Sequence, residues 1–234
     1  MRAILALLVM VAGLAWGDET ERNWQMVSDR DGIKVYMAHT DDSNIKTFRG
    51  EGEVLMEDFR AIGNMLDDYD FIASWLHMIS GLDDLGRVSD LQRHIWVTTR
   101  LPWPVSDRDC AIEVFLEQDP EDYTVTIPFV ARQDLLQEKD GYVRMPQLEG
   151  FLKFQPVEPG KVYMTFQVIL DPGGYIPAWL ANLILRDIPY FSLKRFRRVA
   201  SEDRFQGTDS GYFKVPPGWP GGEPASVSPA TRAP

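Results

Sequence analysis

Asp171-Pro-Gly-Gly-Tyr-Ile-Pro-Ala-Trp-Leu180 decides how this chain folds. An alternating strand pattern precedes it, two adjacent glycines turn the chain, and a helix pattern follows. Gly173 and Gly174 allow backbone angles closed to other residues. Pro177 suits a first helical turn, where its missing N–H is not needed. The helix pattern runs from Pro177 to about Val199, and Pro189 inside it is expected to kink or interrupt it. Trp179, Leu180, Leu183, Ile184, Leu185 and Ile188 make it apolar over more of its circumference than one packing face needs. Periodicity leaves two readings open: an ordinary core helix, or a helix with sheet on one side and a ligand on another.

Upstream, Leu101-Pro-Trp-Pro-Val-Ser-Asp-Arg-Asp109 is a proline-kinked approach to another strand. In that strand Cys110, Ile112, Val114 and Leu116 share one face, while Glu113 and Glu117 take the other. Met164, Phe166, Val168 and Leu170 alternate likewise against Thr165 and Gln167. Strand patterns are expected over 33–36, 45–55, 82–88, 92–100, 109–117, 123–129, 142–155 and 161–170. Turns are marked by Asp31-Gly32, Ser89-Asp90, Asp119-Pro120, Asp140-Gly141 and Pro159-Gly160. Helical spacing is confined to 57–66, 69–79 and the closing helix, with a short helix expected around Trp24. Successive strands with few helices between them indicate an α+β antiparallel sheet. From Gln206 the composition turns to Gly, Pro, Ser, Ala and Thr, which predicts a disordered tail over 206–234.

The 234 residues suffice for one domain with a sizeable core. The formal net charge of −11 argues against nucleic acid, which needs cationic contacts, and against broad adhesion to anionic lipid. Cys110 is the only cysteine, so no intramolecular disulfide forms; in its apolar strand pattern it reads as a small buried residue. Arg2, the apolar run from Ala3 to Leu14 and the small residues of Ala15-Trp16-Gly17 read as a cleaved export signal over 1–17. The globular domain is then 18–205, periplasmic in a Gram-negative host and otherwise secreted. Amino-terminal sequencing of the cellular protein is expected to begin near Asp18; an intact Met1 in the cytosol would contradict export.

In family order, Gly32-Ile-Lys-Val-Tyr36, Phe48-Arg-Gly50, Trp75, Pro102-Trp-Pro-Val-Ser-Asp-Arg-Asp109, Pro128, the stretch from Val143 to Phe154, Lys161-Val162, Asp171-Pro-Gly-Gly174 and Ile176-Pro-Ala-Trp-Leu-Ala-Asn182 resemble the START (StAR-related lipid-transfer) domain. The resemblance covers roughly Trp24 to Arg198. It implies a helix-grip fold: a curved antiparallel sheet enclosing an apolar cavity closed by a long C-terminal helix. It implies a monomeric, non-enzymatic protein without cofactor or metal. That protein binds a hydrophobic lipid (phospholipid, fatty acid or sterol-like) and visits a membrane surface transiently. The implied cavity residues are Ile72, Trp75, Leu76, Ile95, Arg108, Ile112, Val114, Phe166, Val168, Trp179, Leu180, Leu183 and Ile184. The implied gate is the closing helix, hinged at Gly173, Gly174, Pro177 and Pro189.

Arg108 and Asp109 read as a buried or capping polar network; Arg108 shares parity with Val114, which leaves the cavity mouth open to it as well. Departures from the family bear on the ligand. Where phosphatidylcholine-transferring members hold the headgroup with an arginine and an aspartate, this chain has Ile72 and Leu76. Where sterol-transporting members place an arginine facing an acid, it has Val114, with its neighbour near Ile95. An unpaired headgroup on such residues is costly, which favours a mostly apolar ligand with its polar end near the mouth.

Patterns for chemistry are weak. His39, His77 and His94 form no metal spacing, and no nucleophile elbow or phosphate loop occurs. Asp67-Asp68 and Asp83-Asp84 read as solvated turns. Related helix-grip folds include enzymes, so an enzyme acting on a hydrophobic substrate, with His77 or His94 as acid–base group, stands as the alternative by analogy. A lipid sensor without transfer is the other. The basic run Lys194-Arg195 with Arg197-Arg198 suits either the negative end of the helix dipole or membrane docking.

Overall fold

The computed structural model describes residues 23–39, 46–176 and 178–224; the side chains of His39, Lys46 and 178–185 are outside the description. The export segment and Pro177 therefore lie outside the described residues. In chain order the strands and helices are β1 (Gln25–Arg30), β2 (Ile33–His39), β3 (Lys46–Leu55), α1 (Ala61–Met65), α2 (Tyr69–Trp75), β4 (Ile79–Ser89), β5 (Gln92–Thr99), β6 (Asp107–Phe115), β7 (Glu117–Gln118), β8 (Val125–Ala131), β9 (Tyr142–Arg144), β10 (Gln147–Glu158), β11 (Lys161–Asp171) and α3 (Ala178–Val199). They form one sheet in the order β1-β2-β3-β11-β10-β8-β6-β5-β4, with β7 on β8 and β9 on β6. Every pairing is antiparallel except β6 with β9.

Three elements differ from the sequence reading for local reasons. The segment around Trp24 enters strand β1 instead of a helix, because Asp31 and Gly32, at φ 55° and 66°, close a tight hairpin with β2. Helix α2 starts where Asp68 accepts the Phe71 N–H and stops at Trp75; by Ile79 the chain is already a strand, turned by Met78 at φ 68°. The stretch expected as one strand from Tyr142 to Gln155 is two, divided at Met145 and Pro146, since proline cannot continue the ladder.

Helix α3 lies across β2, β3 and β11. Pro189 does not interrupt it. Instead, Pro189 sits on Gly50, where an added Cβ would stand 2.6 Å from the proline Cβ. The C-terminal half of α3 is fastened to the sheet. Tyr190 Oη donates to Asp31 at 2.6 Å and Lys194 Nζ at 2.8 Å. Arg197 donates to the carbonyls of Glu53, Asp31 and Gly32 at 2.7, 2.6 and 2.9 Å. Phe196 packs between Trp75 and Phe154, with ring centroids 4.9 and 5.6 Å away. Lys194 and Arg197 thus make intramolecular contacts.

The expected disordered tail is corrected for its described part. Residues 206–224 pack on the domain, because the Gly- and Pro-rich stretch also carries aromatic anchors. Trp219 is buried edge-on against Phe59 at 5.4 Å. Gln118 exchanges two hydrogen bonds with the Lys214 backbone, and Tyr212 Oη donates to Asp67.

The network read at Arg108-Asp109 is present. Asp109 on β6 accepts from Arg144 Nε and Nη2 at 2.9 Å each and from Trp96 Nε1 at 3.0 Å. Both charges are buried. This pair joins β9 to β6 at their parallel pairing. Burial pushes the Asp109 carboxyl up, but the bonds from Arg144 and Trp96 outweigh it and hold the carboxyl below its ordinary value. Its stabilisation is therefore full above the unfolded-state pKa of about 3.9 and is lost as pH falls through the lower folded value. Asp109→Asn is expected to cost about 3–5 kcal/mol at neutral pH, since Arg144 is left as an unpaired buried charge. In urea titrations it should also show a shallower acid loss of stability than the native chain. Identical acid profiles would contradict this role.

Candidate functional site: an internal apolar cavity

Strands β4, β5, β6, β8, β10 and β11 curve around a cavity of about 180 Å³. Each contributes alternate residues. From β5 come Arg93, Ile95, Val97 and Thr99; from β6 come Arg108, Ile112 and Val114; from β11 come Phe166, Val168 and Leu170. Leu66, Ile72 and Leu76 close it from the α1–α2 side, Leu101, Pro172 and Ile176 from two loops, and Ile188 and Ser192 from α3. Of the residues expected here, Ile72, Leu76, Ile95, Arg108, Ile112, Val114, Phe166 and Val168 line the cavity. Trp75 does not: it is spent on the core beneath Phe196. The side chains of Trp179, Leu180, Leu183 and Ile184 lie outside the described residues.

The cross-strand neighbour of Val114 is Arg93; Ile95 faces Ile112. The neighbour expected near Ile95 is thus two residues away, at Arg93. Arg93 and Arg108 both line it, and both are 2% exposed. Their signal in the sequence was parity: Arg93 alternates with Ile95 and Val97. No Asp or Glu lines the cavity among the described residues.

Arg108 lies between two loops that border the cavity. It donates to the carbonyls of Pro172 and Gly173 at 3.2 and 3.1 Å and to the carbonyl of Ser106. It thereby joins the proline-rich loop before β6 to the glycine turn before α3. Burial pulls this guanidinium's pKa down, with Asp107 opposing. Gly173 and Gly174 take φ 64° and 60°. A Cβ on Gly173 would meet the Arg144 carbonyl and Pro146 at 2.9 Å, so the turn is wedged as well as bent. At the tips of the two joined loops, Trp103 and Tyr175 are 92% and 86% exposed.

His77 lines the cavity, its ring against Phe191 at 5.0 Å. Burial, then Arg195, lowers its pKa. The nearby Ser192 hydroxyl accepts from the His77 backbone N–H at 2.9 Å, and the His77 Nδ1 is buried without a hydrogen-bond partner among the described residues. His94 points to the opposite face, 3.4 Å from Glu113. Cys110 is buried, and burial pushes its thiol up to about 12. Asp67 and Asp68 are not merely solvated: Asp68 caps α2, and Asp67 accepts from Arg87 and Arg93. Among the described residues no group of His, Cys, Asp and Glu is placed to hold a metal ion, and no helix is long and apolar enough to cross a membrane.

No protein-family model matches the chain. An uncharacterised protein of Pseudomonas aeruginosa is 33% identical over 207 residues, spanning 86% of this chain and all of that protein. The mouse protein named phosphatidylcholine transfer protein is 24% identical over 177 residues, 74% of this chain and 81% of its own length. Among solved structures, a STAR-related lipid transfer protein fragment from Xanthomonas axonopodis superposes with a TM-score of 0.68 at 29% identity, over 76% of this chain and 98% of that one. Human StAR-related lipid transfer protein 5 shares the fold, with a TM-score of 0.66 at 17% identity over 76% of this chain and 86% of its own. Helix-grip fold, enclosed apolar cavity and these relatives agree: the chain belongs to the START (StAR-related lipid-transfer) domain family.

Proposed function

We propose that this protein binds one lipid in its cavity and carries it between membranes without breaking a bond. The observation that carries the reading is the apolar void itself, kept open inside a packed domain. A core without a ligand gains by closing such a space, since residual voids cost stability. Burying a lipid chain contributes about 0.8 kcal/mol per CH₂, so apolar walls supply affinity without specific contacts. The names of the mouse and Xanthomonas relatives, which are those of lipid-transfer proteins, support the same reading.

At about 180 Å³ the cavity exceeds only slightly the size of engineered cavities, about 150 Å³, that admit benzene. A whole lipid enters only if a wall moves. In our reading the moving wall is the N-terminal half of α3 with the glycine turn. The half beyond Pro189 is fastened by Tyr190, Lys194 and Arg197, whereas Pro189 removes a backbone hydrogen bond at the junction. Trp103 and Tyr175 would rest at the membrane interface, where amphipathic rings are favoured, and the net charge of −11 makes aromatic contact a better anchor than electrostatics.

Three outcomes follow. Val114→Phe fills the void and is expected to keep or raise thermal stability while weakening binding of a fluorescent long-chain probe at least ten-fold; undiminished binding would place the ligand elsewhere. Trp103→Ala combined with Tyr175→Ala should slow transfer between phosphatidylcholine vesicles several-fold with equilibrium binding unchanged, and an unaltered rate would remove these residues from membrane contact. In hydrogen-exchange measurements, amides of 178–188 should exchange faster than those of 190–199 and become protected when the probe binds. Equal protection of the two halves would exclude α3 as the gate.

A further inference from the structure

Beyond α3 the chain does not leave the domain; it runs across α1 and the turn into α2. Asn64 Nδ2 donates to the carbonyls of Phe205 and Thr208 at 2.7 and 3.1 Å and to Thr208 Oγ1 at 2.8 Å. The Gly207 N–H donates to Asp58 at 2.9 Å, and Tyr212 Oη donates to Asp67 at 2.8 Å. Phe205 packs on Phe71 with ring centroids 4.5 Å apart, and Trp219 is buried against Phe59. All of these partners lie within one stretch, Asp58 to Phe71.

That stretch has little strength of its own. Helices α1 and α2 have five and seven residues, well below the roughly 12–15 at which an isolated helix begins to hold. No side chain caps the N-terminus of α1. The main packing partner of α1 among the described elements is the 3-10 turn Asp203–Phe205, just past α3. The stretch is nevertheless a wall of the cavity. Leu66 lines it, and the Leu66 carbonyl and Asp67 accept from Arg93 of β5 at 3.0 and 2.8 Å. Asp67 thus accepts from the sheet on one side and from Tyr212 on the other. Arg93 lies six residues along β5 from Thr99, which pairs with Arg108, so this wall stands about 20 Å from the loops that Arg108 joins.

The segment that holds the wall is itself lightly fastened. Over 206–218 only Pro216 is buried, and the bonds from Tyr212 and from the Lys214 backbone lie at exposed positions. Few buried apolar contacts and exposed hydrogen bonds mark a segment that opens locally before the domain unfolds. We propose that residues 205–219 form a strap that sets how long the cavity retains its ligand. Fastened, the strap keeps the α1–α2 wall closed. Detached, it lets that wall swing, and the ligand leaves at the end remote from the glycine turn. This rests on the lipid-binding reading and adds to it a second moving wall, separate from α3.

The contact between strap and helix supplies the test. A Cβ on Gly63 would stand 3.5 Å from the Ser210 Cβ, within the about 3.5–4.5 Å that a disulfide spans. The full chain carrying Gly63→Cys, Ser210→Cys and Cys110→Ala is loaded with a pyrene-labelled long-chain fatty acid and mixed with excess phosphatidylcholine vesicles. Oxidised, it should release the probe at least five-fold more slowly than after reduction. Trp219→Ala in the full chain should speed release at least ten-fold. Its amides over 61–76 should exchange faster while those of β5 and β6 keep their protection. Equal release with the disulfide closed and open overturns the strap, and this comparison decides even where Trp219→Ala does not fold. Native release from a folded Trp219→Ala chain, or a rise in exchange spread over the whole domain, also overturns it, while lipid binding stands. A native chain that takes up no probe overturns the lipid-binding reading and the strap with it.

Discussion

The contact of Pro189 with Gly50 sets the height of α3 above the sheet. With only hydrogen at Gly50, the helix descends onto β3 until its proline touches the strand backbone. Any side chain there would lift it, since packed interiors do not absorb an added carbon without strain. The helix is thus drawn tightly to β2, β3 and β11, and Arg197, Tyr190 and Lys194 fasten it on that side. The cavity lies under β4, β5, β6, β8, β10 and β11, so β11 borders both the helix and the void.

The polar groups follow the same division. Asp109 and Arg144 are buried together and satisfy one another. Arg108 spends its hydrogen bonds on carbonyls of the two loops at the mouth, which makes it a strut between them. Arg93 donates to the Leu66 carbonyl and to Asp67, behind the apolar wall of the cavity. A protein with a net charge of −11 therefore lines its cavity with two arginines and no carboxylate among the described residues.

Much of this was legible from residue order. The alternation Ile112, Val114 in β6 and Phe166, Val168 in β11 identified two cavity walls, because strand parity is a local property. Asp171 to Gly174 identified the turn into α3. What parity cannot supply is register between strands. The sequence places the neighbour of Val114 near Ile95, whereas the register puts it at Arg93, two residues away on the same face. The described part of the tail, to residue 224, departs from what composition suggests because composition averages over Trp219 and Tyr212, whose packing on Phe59 and Asp67 is long-range. Trp75 was assigned to the cavity from family order alone, whereas its ring belongs to the aromatic cluster under α3.

The central claim is that the void exists to hold one lipid. Native mass spectrometry of the protein as purified from cells tests this most directly. The account predicts a one-to-one complex whose added mass is released on denaturation as an intact amphiphile with a long hydrocarbon chain. A ligand-free spectrum that persists after incubation with a total lipid extract would contradict it. Recovery of only a chemically converted species would assign the cavity to an enzyme instead.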